Sequence, residues 1–274
     1  MRMIGNQINP VRRAILVAAL VAAAASLVTL VHPHHSALAA ANDASPRKPV
    51  LVELFTSEGC SSCPPADALL ARLDAQQFVP GAEAIVLSEH VTYWNHEGWE
   101  DPFSLEAVTT RQQQYGVHFG LESVYTPQAV VDGEAQVVGS DEAGLRRAIA
   151  KAADAPALDV AIDQAERNGN EIRFKVREAP AQGEAHNASL VAALAVDSAQ
   201  TSVARGENAG RTLRHVAVVR VMKDMGKDAA NGQELTLKLP GGEGAQTGAL
   251  RLVVFLADRR SGRVFGAAER TIAQ

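Results

Sequence analysis

The chain is poor in the residues that build redox or metal centres. Its 274 residues contain two cysteines, Cys60 and Cys63, so any disulfide framework comes down to that one pair. Aromatic residues make up only 4% of the chain, so a core must be assembled mainly from Val, Leu, Ile and Ala. No internal repeat is present. Basic residues are also scarce: beyond residue 39 there are 23 against 31 acidic ones, a net charge of −8. That balance makes a poor partner for nucleic acid or for an anionic membrane surface. What remains, 47% hydrophobic and 21% charged, is the composition of a folded globular protein.

The first 39 residues form a separate object. Arg12 and Arg13 precede "AILVAALVAAAASLVTLV", an uncharged stretch, and Ala37-Leu38-Ala39 then fits a small-x-small cleavage pattern. Residues 1–39 therefore read as a secretory signal peptide. An uncleaved anchor is the competing reading, because the apolar run is nearly long enough to span a bilayer. Export implies a periplasmic or secreted protein in an oxidising compartment, with no membrane attachment once the segment is removed. The tract His32, His34, His35 lies within the part expected to be lost.

Residues 47–154 alternate strand and helix patterns. "PVLVELFT" and "AEAIVLSEHV" are apolar runs of strand length, and "PPADALLARLDA" has helical spacing behind two prolines. A second helix is expected from "PFSLEAVTTRQQQYGV" with Asp101 as its cap, then a hairpin at Asp132-Gly133, then a helix capped by Ser140. The order is β-α-β-α-β-β-α. Residues 155–274 instead show seven short apolar runs parted by Gly, Asn, Asp and Pro, with a glycine-rich loop at 241–248. That texture predicts a second domain, an all-β sandwich of immunoglobulin-like type.

The chemistry concentrates in "VELFTSEGCSSCPP". Cys60 follows the first strand and Cys63 immediately precedes the first helix. A helix N-terminus offers unpaired N–H groups and the positive end of its dipole, which favour a thiolate. Thiol–disulfide exchange needs that context. Two other readings compete. A metal site, for instance for copper delivery, would add histidines such as His90 or His118 to the pair. A permanent structural bridge over so short a loop would stabilise only weakly.

"VYTPQAVVDG" places Pro127 directly before an apolar strand and the hairpin. With the cysteine pair, it resembles the thioredoxin superfamily, in which a cis-proline lies against the disulfide and holds substrate backbone; an ordinary strand-initiating proline is the alternative. Together with "HVTYWNHEGWEDPFS" and "RGENAGRTLRHVAVVR", these segments are similar to a family of exported bacterial proteins catalogued as domain of unknown function 1223. The resemblance implies a thioredoxin-like fold for residues 47–154 and oxidoreductase chemistry without a dissociable cofactor. Protein or small-thiol disulfides would be the clients.

On that reading Cys60 attacks and Cys63 resolves. Glu53, a carboxylate in an apolar strand, resembles the buried acid that relays a proton in thioredoxins; a salt-bridged or solvent-facing acid is the alternative. Thr126 and Pro127 would contact substrate backbone. Trp94 would belong to a recognition surface or to a small core beneath its loop. The segment "VARGENAGRTLRH" either folds over the Cys60 site or forms an inter-domain contact.

Overall fold

Strand β1 (Lys48–Thr56) is buried along nearly its whole length, as its unbroken apolar run requires. It pairs in parallel with β2 (Ala82–His90) and antiparallel with β3 (Gln128–Val131), which turns into β4 (Ala135–Val138). Three helices complete this half: α1 (Pro64–Gln76), α2 (Glu106–His118) and α3 (Glu142–Asp154). The structure, a computed structural model, describes residues 47–178, 183–227, 229, 232–240 and 248–273. The expected signal segment, its histidine tract and residues 241–247 of the glycine-rich loop lie outside the described residues. Among the described residues no helix is long and apolar enough to cross a membrane.

All seven apolar runs after residue 155 are strands, β5 (Val160–Asn168), β6 (Glu171–Glu178), β7 (Ala188–Ser202), β8 (Thr212–Gly226), β9 (Glu234–Lys238), β10 (Leu250–Asp258) and β11 (Val264–Ile272). They do not form a separate immunoglobulin-like sandwich, nor is the first half a self-contained thioredoxin-like α/β domain. That expectation is corrected by the sheet itself. One eight-stranded mixed sheet runs β11-β10-β7-β8-β2-β1-β3-β4, and only β5, β6 and β9 form a second, three-stranded sheet. The junction is the parallel pairing of β8 with β2 at Ser88 and Val218.

The physical reason lies in β7 and β10. Leu190, Ala192 and Leu194 on one face of β7 join a core with Ile172 and Phe174 of β6. Val191, Ala193 and Ala195 on the other face belong to the cluster built around β1, β2 and α1, as do Val253 and Phe255 of β10. A free-standing sandwich would turn that second face to water, at about 1.5–3 kcal/mol for each large side chain exposed. The second face instead completes the core around β1 and β2, which both halves share.

Two helix starts differ from expectation. The α2 helix begins at Glu106 with Leu105 at its cap position, and α3 is capped by Asp141, whose Oδ1 accepts the Gly144 N–H at 2.9 Å. Asp101 is committed elsewhere, as described below. The β3–β4 turn does form at Asp132-Gly133, both with positive φ. The Leu51 N–H donates to Asp132 Oδ1 at 2.8 Å. Burial pushes the Asp132 carboxyl up to about 7, against the pull of that N–H and of Lys48. Its pKa is raised on folding, so the stability it contributes is complete below 3.8 and lost as pH rises through about 7. Asp132→Asn tolerates the positive φ and keeps the acceptor. The variant should therefore be more stable than the wild type at pH 8.5, on the order of 1–3 kcal/mol. The difference should shrink towards pH 4. Urea titrations at both pH values check this; an equal effect at each would refute the burial argument.

Candidate active site

The turn from β1 to α1 is closed by its own backbone. Cys60 N–H donates to Ser57 O and Cys63 N–H to Cys60 O, both at 3.2 Å, while Gly59 N–H meets Ser57 Oγ at 3.1 Å. Cys60 and Cys63 are joined as a disulfide, with Cα atoms 5.4 Å apart. Cys63 is the residue before the first turn of α1, and Pro64 and Pro65 start the helix. Neither proline has an N–H. The next two donors, Ala66 and Asp67, both bond Cys63 O, and the Ser61 N–H meets Glu207 Oε2 at 3.1 Å. The helix end thus offers the sulfurs fewer free donors than its sequence suggests. Ser62 Oγ, 3.4 Å from Cys60 Sγ, is a nearby polar partner. Both cysteines are buried, at 1% and 0% exposure, while Ser61 and Ser62 between them face solvent.

Two loops wall the turn. Trp94 lies against Gly59, where an added Cβ would stand 3.1 Å from Trp94 Cβ and 3.3 Å from its carbonyl oxygen. Close approach, not a special φ, is what requires glycine there. The Trp94 indole N–H reaches Thr126 Oγ1 at 2.8 Å, and the Thr126–Pro127 bond is cis. Trp94 therefore links the disulfide turn to the two residues expected to meet substrate. Both Trp94 and Trp99 are half-buried. From the far half of the chain, residues 203–211 fold over the turn. The buried Asn208 amide donates to Glu58 O at 2.8 Å and to Cys60 O at 2.9 Å. Gly206, at φ +77°, lets this strap pass Trp99, whose Cβ would lie 3.1 Å from an added methyl.

Beneath the turn lies a buried polar cluster. Sequence alone marks His90 only as a candidate metal ligand and Asp101 only as a helix cap, and does not join them to Glu58, Asp67 and His215. Thr56 Oγ1 donates to Asp67 Oδ1 at 2.8 Å, and the Trp99 indole donates to Glu58 Oε2 at 2.9 Å. His215, on β8, stands between these two acids, with Nε2 3.3 Å from Glu58 Oε1 and Nδ1 3.7 Å from Asp67 Oδ2. The His215 ring packs edge-on against that of His90, centroids 4.6 Å apart. His90 Nδ1 meets Asp101 Oδ2 at 2.7 Å, and Asp101 also accepts the N–H groups of Glu58 and Phe103. Burial works against charge on both members of the His90–Asp101 pair, but it is outweighed by their mutual attraction together with Asp67 and Glu58 around His90 and the Glu58 and Phe103 N–H groups on Asp101. His90 is held above its ordinary pKa and Asp101 below. Burial pushes the Asp67 carboxyl up, against the opposing pull of His215, His90 and the Thr56 hydroxyl.

Glu53 is also fully buried, on the opposite face of β1 from Thr56. It looks towards α2, not towards the cysteines. Arg111 grips it with two N–H groups, Nε to Oε1 and Nη2 to Oε2, and the Tyr115 hydroxyl donates to Oε2 at 2.6 Å. Glu89 is buried beside it, and burial followed by the charge of Glu53 pushes Glu89 well above the ordinary carboxylate range. Of the histidines weighed as metal ligands, His90 is engaged with Asp101 and His118 is exposed at the end of α2. Among the described residues, no group of three or more His, Cys, Asp or Glu side chains is arranged to hold a metal ion.

The cluster carried a legible signal. Asp67 sits on the buried stripe of α1 between Ala66 and Leu69, His90 closes the buried strand β2, and His215 interrupts the Val-rich β8. A polar residue at an apolar position was the criterion that singled out Glu53, and it applied equally to these three.

The fold and site define a mixed-sheet protein with a single disulfide at a strand-to-helix turn, roofed by its own C-terminal half. Residues 51–257 match the family model described as "Protein of unknown function (DUF1223)", and the chain belongs to that family. A crystal structure of protein AGR_C_4864 from Agrobacterium tumefaciens is similar, at 28% identity and a TM-score of 0.60, covering 82% of this chain and 95% of that one. A β-glucosidase structure from Kluyveromyces marxianus matches at 8% identity and a TM-score of 0.19, over 43% of this chain and 14% of that one, a likeness too slight to carry an argument. Among curated proteins no match is found.

Proposed function

We propose that this protein exchanges disulfides with thiol clients in an exported, oxidising compartment, using the Cys60–Cys63 pair and no dissociable cofactor. The observation that carries this reading is the bonded pair at the mouth of α1, above a cluster of five titratable side chains. A bridge over so short a loop removes little chain entropy, about 2 kcal/mol against about 4.7 kcal/mol for a 100-residue loop. Opening it therefore costs the fold little, which suits a bond that is made and broken. The exposed Ser61–Ser62 segment is the side from which a client sulfur approaches Cys60. Thr126 and Trp94 line the same region and are the proposed contacts for client backbone, with Pro127 buried behind them.

The test is equilibration of the folded protein in glutathione buffers of graded ratio, followed by acid quench and intact-mass measurement. The expected result is a reversible two-electron transition with the fold intact throughout. A pair that stays oxidised at every ratio, or that is reduced only when the protein unfolds, would sink the proposal. No observation favours the metal reading over this one.

A further inference from the structure

Among the described residues, three buried side-chain atoms without a hydrogen-bond partner meet at one point: Glu58 Oε1 and both ring nitrogens of His215. A buried imidazole kept only for packing would be held by at least one good hydrogen bond. His215, with its side chain at 0% exposure, instead stands 3.3 Å and 3.7 Å from two carboxylates. The groups facing it come from every element around it: Glu58 from the disulfide turn, Asp67 from α1, His90 from β2 and Asp101 from the loop after β2. On β8 itself, Arg220 is turned towards Pro102 and Phe103. His90 and Asp101 neutralise one another. That leaves two carboxylates, Glu58 and Asp67, facing one imidazole, His215.

The placement gives a proton on that cluster a use. Glu58 is two residues before Cys60, and its carbonyl shares the Asn208 amide with the Cys60 carbonyl. Asp67 is four residues after Cys63, on the same face of α1. Asp67 also borders a groove of about 360 Å³ between α1 and β8, lined by Pro64, Ala68, Ala71, Leu213 and Arg214, which opens to water.

We infer that His215 is a positioning residue that supplies, through Asp67, the proton Cys63 takes up when the disulfide is opened. The inference rests on the thiol–disulfide reading above. A client thiolate forms a bond to Cys60 Sγ, and the electron pair of the breaking S–S bond goes to Cys63 Sγ, which takes a proton from the cluster. A second client thiolate then attacks the client sulfur and releases Cys60, which is protonated from water. The client dithiol loses two electrons and two protons, the cysteine pair gains both, and the cluster recovers its proton through the α1–β8 groove.

The experiment measures reduction of the oxidised protein by dithiothreitol from about pH 5 to 9, each rate divided by the thiolate concentration. In the wild type the normalised rate should fall as pH rises and the cluster loses its proton. His215→Gln should flatten that profile and slow reduction at low pH by about tenfold or more. Asp67→Asn should flatten it as well, and carries the test alone if the histidine variant does not fold. A role confined to packing would lower thermal stability yet leave the shape of the profile unchanged. An unchanged shape in the folded variants overturns the inference and leaves the exchange reading standing. A wild-type pair inert to dithiothreitol overturns both.

Discussion

Arg111→Met should lower the unfolding free energy by about 3–5 kcal/mol at neutral pH, the usual cost of removing one partner from a buried ion pair. Arg111 is the counter-ion of Glu53, which has no exposed surface, and its guanidinium also lies 4.9 Å from the Phe255 ring centroid. Without it, Glu53 keeps only the Tyr115 hydroxyl, beside a Glu89 that burial already holds towards its neutral form. The deficit should be smaller at pH 5 than at pH 8, because a carboxyl stranded in the core is tolerated when it carries a proton. Glu53→Gln in the same background should recover part of the loss. Guanidinium unfolding of the three proteins decides the matter; a single-variant loss under about 1 kcal/mol would mean the pair is not what admits a charge to this core.

The second large effect separates the two cysteines. Cys60→Ser should abolish disulfide capture, whereas Cys63→Ser should leave a thiol that accumulates as a stable mixed disulfide with glutathione, visible by intact mass. The asymmetry follows from position. Cys60 adjoins the exposed Ser61–Ser62 segment, while Cys63 precedes Pro64 and is wholly buried at the helix entrance. Each variant should lose only about 2 kcal/mol of stability, since the closed loop is short. Adducts on Cys63 in the Cys60→Ser protein, at a rate matching the reverse case, would show that the roles are wrongly assigned.

Local chemistry left clear marks in the chain. The hairpin was readable from Asp132-Gly133, where positive φ favours those residue types, and all seven later strands from their apolar runs. The cysteine pair was placed at the helix entrance by Pro64 and Pro65 alone. A strap over the site was one of two readings of residues 203–215, and within them Asn208 makes those contacts. The expectation of a separate immunoglobulin-like sandwich misled because turn signals report where strands end, not which edges they meet. The warning was in "SLVAALAV" and "LRLVVFLA": neither alternates, and a strand apolar on both faces must be covered on both.

The sequence alone determined which segments become strands and helices, where the chain turns, and that one pair of sulfurs stands at a helix entrance. Those properties depend on residues close together in the chain, where spacing and backbone preference are decisive. Tertiary structure decided that β8 pairs with β2, that Glu53 is answered by Arg111, and that His215 comes to rest between Glu58 and Asp67. Each of these joins residues distant in the chain, and such contacts are selected only when the whole core closes and every buried charge must find its counterpart.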